Sequence, residues 1–272
     1  MALELVKLTK GGSPVAQVGS FGFFKLSADT GGDLVTFANA TPKQISAISA
    51  EISANNMTSE QVKSTYGWNL GDTKTITLTT GEVIEVRIIG VNHDDKSDGS
   101  GKAGITLQMT HCMKTPAPMH SSDKYTNWQY CTMNTTTLPN VKKTMPSEWQ
   151  NIIKNVKKKQ VSSQYSDATI VNNDLFLLAE VELWGYQVTP PTSIGTKEGS
   201  QYEYWSMPEN TKIMYRDDDG DGIPETAVKW WLRSMHYASS NAKGFCAVNG
   251  DGSTGYYDYT KNNLSVCFAF CV

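Results

Sequence analysis

The sequence predicts an α+β fold, in which strands and short helices occupy separate stretches rather than alternating regularly. Three observations lead there. Apolar or alternating runs such as 73–78 and 83–91 flank Thr79-Thr80-Gly81-Glu82, a β-hairpin pattern. Two or three segments carry helix-start chemistry. Long polar loops rich in Gly, Asn and Asp separate the elements.

Residues 1–40 read as short strands broken by Gly11-Gly12, Gly19, Gly22 and Gly31-Gly32, with Phe21, Phe23 and Phe24 as the only strong apolar content. So little apolar surface makes no core, and residues 1–65 are expected to be an attachment or oligomerisation segment. Within it Thr41-Pro42-Lys43-Gln44 reads as a helix start, with Thr41 as N-cap and Pro42 in the first turn. Ile45, Ile48 and Ile52 then share one face. Thr58-Ser59-Glu60-Gln61 starts a second helix that ends near Gly67.

The main domain is expected over 66–272. After the hairpin, Ile105–Cys112 is a strand, and Trp128 anchors a helix or turn. Pro146–Val156 reads as a short amphipathic helix. Lys157-Lys158-Lys159 would then be its solvated, dipole-compensating end, a reading preferred over a phosphate-binding patch. Asp174–Gly185 is the most hydrophobic stretch and should be buried, and Gln201-Tyr202-Glu203-Tyr204-Trp205 is a second aromatic cluster.

Composition narrows the function. A chain of 272 residues with formal net charge -3 does not offer the basic surface that nucleic acids need. No apolar run approaches the roughly 20 residues that span a bilayer, and the N-terminus lacks the basic start and apolar stretch of a secretory signal. Five cysteines without a CxxC pair indicate buried thiols rather than a disulfide framework or zinc site. Cys267 and Cys271, four apart on a strand, share a face at about 13 Å, too far to bridge.

One stretch has metal-ligand spacing. In Arg216–Glu225, Asp217, Asp219 and Asp221 alternate before Gly222, as in the first half of a calcium loop; the Ile223 carbonyl and Glu225 follow as further candidate ligands. Val228 stands where an EF-hand places its bidentate Glu, so the loop is not an EF-hand, and Asp-Gly pairs also make plain hairpin tips. Enzymatic signatures are sparse. His93-Asp94-Asp95 could orient an imidazole, although a surface loop bonded to itself is the simpler reading. His111-Cys112 could be half of a nucleophile pair, but Cys112 ends an apolar strand and reads as a core thiol.

The C-terminal forty residues have a different character. Trp230-Trp231-Leu232-Arg233-Ser234 runs into a segment of small, polar and Tyr residues, and Val266–Val272 closes the chain as an apolar strand. Tyr supplies large contact area at low entropy cost, while Ser, Gly and Asn adapt their hydrogen bonds, as in antibody loops.

Several phrases in order carry a family resemblance: Trp68-Asn69-Leu70-Gly71-Asp72-Thr73-Lys74, Glu85–Asp94, Lys102–Thr106, Leu175–Glu182, Glu198–Tyr204 and Trp230–Ser234. Over about 66–272 the chain resembles an uncharacterised domain family of Gram-positive gut bacteria and their phages. That family's C-terminal half looks like the C-type-lectin fold of formylglycine-generating enzymes. Some members resemble variable proteins of diversity-generating retroelements, in which a reverse transcriptase randomises adenines in the last repeat. The resemblance implies a variable region at 235–263. Its candidate contact positions are His236, Tyr237, Ser239, Ser240, Asn241, Ala242, Ala247, Asn249, Asp251, Ser253, Gly255, Tyr256, Tyr257 and Tyr259. Trp231, Phe245, Val248, Val266, Phe268 and Phe270 would be fixed scaffold. Met235 stands where the family usually has Pro, and Lys243 and Lys261 cannot arise from the template's AAY codons. The enzymes' catalytic cysteine pair is not matched by Cys246, Cys267 or Cys271.

The expectation is a non-enzymatic binding protein on a phage virion or bacterial surface. Its partner would be a protein or glycan receptor, calcium its only candidate cofactor, and a trimer its plausible assembly by analogy with other displayed binders. An enzyme sharing the fold and an inert tail component are the alternatives.

Overall fold

A computed structural model describes residues 9–10, 13–14, 34–122, 126–162, 165–189, 192–236 and 244–272. Among these, short helices lie beside several small, open antiparallel sheets, so the α+β expectation holds.

The chain starts with a minimal pairing of β1 (Thr9–Lys10) and β2 (Ser13–Pro14). Helices α1 (Pro42–Ala54) and α2 (Ser59–Tyr66) begin where their caps predict. In α1 the Thr41 amide donates to Gln44 Oε1 at 2.8 Å and Thr41 Oγ1 accepts from the Gln44 amide. Thr58 and Gln61 close the same reciprocal box in α2, which stops at Gly67 with φ 74°. Each box satisfies two donors that a helix start otherwise leaves unpaired.

The hairpin also forms as expected, with β3 (Thr73–Thr77) against β4 (Val83–Val91) and Thr75 opposite Glu85. Next come β5 (Ile105–Met109), β6 (Ala117–Pro118), a 3₁₀ turn at Trp128–Tyr130, and helices α3 (Leu138–Thr144) and α4 (Ser147–Ile152). Strands β7 (Val156–Gln160) and β8 (Thr169–Asn173) pair with each other, and β9 (Leu175–Phe176) precedes α5 (Glu180–Trp184) and α6 (Glu203–Ser206). A hairpin of β10 (Met214–Arg216) and β11 (Thr226–Val228) leads into β12 (Trp230–Met235) and β13 (Gly244–Val248). The chain ends with β14 (Asp258–Tyr259), β15 (Asn263–Leu264) and β16 (Ala269–Cys271).

The main sheet has the order β3-β4-β5-β16-β9. The last strand therefore lies inside it, with Phe270 opposite Leu107 on one side and Leu175 on the other. Whatever lies between β13 and β16 is held by core strands at both ends, which suits a loop that must keep its shape.

One expectation needs correction. The helix over 146–156 ends at Ile152, and the lysine run is a strand, not a solvated helix end. Pairing with β8, together with the bond from the Lys154 amide to the Cys271 carbonyl, takes these residues out of the helix. Val156, Lys158 and Gln160 then point inward at period two, while Lys159 faces solvent. Packing is continuous across the boundary at 65/66. Ile45, Ile48, Ile52, Val62 and Tyr66 join the same hydrophobic core as the main sheet. Helix α1 crosses so closely that a Cβ on Gly104 would fall 1.9 Å from the Ser49 carbonyl oxygen. Residues 1–33 lie outside the described part, apart from β1 and β2.

Candidate binding site

The C-terminal face rests on β12, all six residues of which are buried. The indole N–H groups of Trp230 and Trp231 donate to the Lys212 and Ala117 carbonyls at 3.2 and 2.9 Å. Arg233 is fully buried and grips Glu182 bidentately, Nη1 to Oε2 at 2.6 Å and Nη2 to Oε1 at 2.9 Å. Glu182 also pairs with Lys158 at 2.7 Å, and Lys158 in turn bonds Asp94 at 2.6 Å and Tyr202 Oη at 2.9 Å. Lys158 is a core residue at 2% side-chain exposure, with its ammonium 4.1 Å from the centre of the Phe176 ring.

Burial opposes charge at the Asp94 and Glu182 carboxyls, and their partners decide the outcome. Burial works to raise the Asp94 carboxyl, yet Lys158 and His93 hold it well below the usual range. Glu182 is depressed too, because Arg233 and Lys158 outweigh its desolvation. Glu180 and Glu198 go the other way. Burial pushes both up despite hydrogen bonds from the Thr189 and Val161 amides respectively. Ser234 links this network to the strand's end, its hydroxyl bonding Glu198 and accepting from the Glu180 amide. The network ties β7, α5 and β12 into a rigid platform.

The face built on this platform is the sheet β12-β13-β14 with its loops. Trp231 lies opposite Ala247, and the register shifts between Trp231 and Met235. At Gly244 the backbone is covered so closely that a Cβ would meet Tyr257 Cδ2 at 2.7 Å. His236 is buried beneath Tyr257, their rings stacked at 3.9 Å and 13°, and Tyr259 meets Tyr257 edge-on at 6.0 Å. Outward, Tyr256 is 58% exposed, Tyr259 56% and Tyr257 38%.

The loop between β13 and β14 is held by its own short side chains. Asn249 Nδ2 donates to Ser253 Oγ and the Thr254 carbonyl, and Asp251 accepts from both the amide and hydroxyl of Ser253. Thr189 Oγ1 donates to the Tyr256 carbonyl at 3.1 Å, fixing a residue whose φ is 52°. Lys229 pairs with Asp258 at 2.9 Å.

The sequence-based positions therefore divide. Asp251, Ser253, Tyr256, Tyr257 and Tyr259 are exposed, while Asn249 and Gly255 are half-buried. Ala247 and His236, read as contact positions, are buried instead, because Ala247 is central in β13 and His236 lies under Tyr257. Tyr237, Ser239, Ser240, Asn241 and Ala242 lie outside the described residues. The six scaffold positions, Trp231, Phe245, Val248, Val266, Phe268 and Phe270, are all buried.

The acidic loop is the tip of the β10–β11 hairpin. Ligand oxygens of Asp217, Asp219 and Asp221 lie within 4.8 Å of one another. They are already engaged by backbone amides: Gly220 and Gly222 donate to Asp217, Asp221 to Asp219, and Ile223 to Asp221. Lys114 lies across the tip, its Nζ 2.3 Å from where a Cβ on Gly220 would stand. Glu225 is exposed, and the charges of Asp219, Asp221 and Asp217 push its carboxyl up. The tip is self-consistent as a polar turn.

The remaining candidates also resolve. The His93-Asp94 segment is no self-bonded surface loop: Asp94 is buried, and Thr106 and Tyr202 donate to its Oδ2 at 2.7 and 2.9 Å. All five cysteines are buried free thiols, as expected. Burial pushes the Cys112, Cys246 and Cys271 thiols well above their ordinary value, which makes them poor nucleophiles. Sequence reasoning missed the buried ionic network entirely. The period-two burial of Val156, Lys158 and Gln160 was hidden by three consecutive lysines.

Residues 103–272 match the family described as Domain of unknown function (DUF6273). The chain belongs to that family. The matched segment begins just before β5 and runs through β16, so it holds the tyrosine face and most of the network beneath it. No curated protein and no solved structure matches the chain.

Proposed function

We propose that this DUF6273 protein is a ligand-binding protein whose C-terminal loops form its recognition face. The observation that carries this reading is the exposure of Tyr256, Tyr257 and Tyr259 on short, internally bonded loops above a scaffold of buried tryptophans and phenylalanines. Tyrosines clustered on a preorganised surface are frequent anchors of an interface. Small polar side chains around them supply adaptable hydrogen bonds.

The resemblance noted in the sequence extends this reading to a C-type-lectin-like domain on a phage virion or bacterial surface. There it would engage a protein or glycan receptor, with positions in 235–263 open to diversification and a trimer as the working assembly. Among the described residues no helix is long and apolar enough to cross a membrane. The hairpin tip at Asp217, Asp219 and Asp221 is proposed to take calcium, with the Ile223 carbonyl and Glu225 completing the site. Calcium would there replace the hydrogen bonds that the backbone now supplies.

The test uses fluorescently labelled full-length chain on a panel of Gram-positive gut bacteria. Wild type should stain particular strains, and the double variant Tyr256→Ala, Tyr257→Ala should not, with its melting temperature lowered by no more than a few degrees. Equal staining by the double variant would refute the assignment of the face.

A further inference from the structure

Outside the tyrosine face, the fold brings Ser200 to the adjacent pair His93-Asp94, 107 residues from His93 in the sequence. Ser200 Oγ lies 3.1 Å from His93 Nε2, and His93 Nδ1 lies 3.7 Å from Asp94 Oδ1. From this geometry we propose that Ser200, His93 and Asp94 form an acyl-transfer triad acting on carboxylic esters.

Each member has the environment that its role requires. Ser200 is exposed, so an acyl group carried by another molecule can reach its hydroxyl. His93 is largely shielded, with 17% side-chain exposure, and its ring lies over Tyr202 at 3.9 Å. Tyr202 can occupy that place only because residue 90 is Gly: a Cβ there would stand 2.8 Å from Tyr202 Cδ1. Asp94 is buried and anchored by Thr106, Tyr202 and Lys158, so its carboxylate stays fixed behind the imidazole.

His93 Nδ1 is buried and has no hydrogen-bond partner within reach, with Asp94 the acceptor that faces it. A proton on Nδ1 directed at Asp94 leaves the Nε2 lone pair for the Ser200 hydroxyl. Catalytic hydrogen bonds are often long in free enzymes and tighten when charge develops. An imidazolium formed at His93 would face the Asp94 carboxylate through Nδ1. Its Nε2–H would have the Ser200 carbonyl at 3.2 Å as a resting acceptor.

An independent observation concerns the oxyanion. Among the described residues the amide N–H groups of Ser200 and Gln201 donate to no protein acceptor, while those of Gly199 and Tyr202 on either side are engaged. Donors at the nucleophile and at the residue after it are where serine hydrolases draw their oxyanion holes. Gly199, at φ 143°, permits the turn that presents Ser200.

In the proposed step Ser200 Oγ bonds to the ester carbonyl carbon as its proton passes to His93 Nε2. The tetrahedral intermediate then expels the alcohol, which takes that proton from His93. Water, deprotonated by His93, releases the acid and restores Ser200. No metal, redox partner or co-reactant other than water is required.

This capability goes beyond target binding and is read out separately from it. Intact protein is treated with a fluorophosphonate probe at pH 8, and the labelled peptide is located by mass spectrometry. The expected result is a phosphonyl group on Ser200, absent in Ser200→Ala and slowed about a hundredfold in His93→Gln, the scale of general-base assistance. Hydrolysis of p-nitrophenyl acetate should fall in parallel. Because Ser200 is exposed, its alanine variant should melt at the wild-type temperature. Labelling on tyrosines alone, labelling that survives Ser200→Ala, or none above the heat-unfolded chain would each overturn the proposal.

Discussion

The Lys158 network and the Tyr256–Tyr259 face are both built from polar residues close to the C-terminal strands, and they do opposite things. Lys158, Asp94, Glu182 and Arg233 are shut away from water, where each charge is tolerable only beside its partner. Tyr256, Tyr257 and Tyr259 keep their rings in water, where they cost little and contribute little to the fold. The difference is one of dielectric environment rather than of composition. The first region should answer to stability measurements and the second to binding measurements.

The largest expected effect breaks the buried side of that comparison. Lys158→Met leaves Asp94 and Glu182 without their shared cation, and should cost about 3–5 kcal/mol in denaturant unfolding. A loss below about 1 kcal/mol would mean that the network does not brace the platform.

Next in size is the exposed side. Tyr256→Ala with Tyr257→Ala should weaken target binding by about 2 kcal/mol or more, roughly thirtyfold. Its stability cost should be about 1 kcal/mol or less, the value of the Tyr257–His236 ring stack. The reverse ordering in denaturation and binding assays would make these rings structural.

Acid sharpens the comparison further. Asp94 and Glu182 have depressed carboxyls, so their contribution is present above the ordinary values of 3.8 and 4.5 and is lost as pH falls through their folded values. Glu180 and Glu198 are raised, so the cost of keeping them ionised is relieved as pH falls from neutrality toward 4.5. The melting temperature should thus peak in mild acid and drop below pH 3.8. In Lys158→Met the drop should shrink, since Asp94 would keep only His93 and Glu182 only Arg233 to hold them down. A calorimetric pH series on both proteins checks the sign.

Much of the fold was legible and the centre of it was not. The caps at Thr41 and Thr58, the β3–β4 hairpin and the buried Trp230–Ser234 strand are local patterns, and local chemistry decided them. Lys158 could not be read as buried, because its partners Asp94 and Glu182 lie far away in sequence and a three-lysine run carries no alternation. Ala247 and His236 misled for a related reason. Their side chains suit a variable surface, yet a paired strand and a stacked tyrosine cover them. Ser200 and His93, 107 residues apart, share no local signature at all.

The smallest effect belongs to the Asp217–Asp221 tip, which lies outside both regions. If calcium binds, a chelator should lower the melting temperature of wild type by a few degrees and leave Asp219→Ala unmoved. An equal response in both proteins would assign the tip to turn formation alone.

The claim that the exposed face is a diversifiable recognition surface is tested most directly in the DNA encoding it, by sequencing the neighbourhood of the gene and the gene itself across many isolates. The account predicts a near-copy of the 3′ coding region, differing at adenines, beside a reverse-transcriptase gene. Amino-acid changes should gather at exposed codons such as 251, 253, 256, 257 and 259 and spare Trp231, Phe245 and Phe270. The absence of such a repeat, or changes spread evenly over buried and exposed codons, would contradict it.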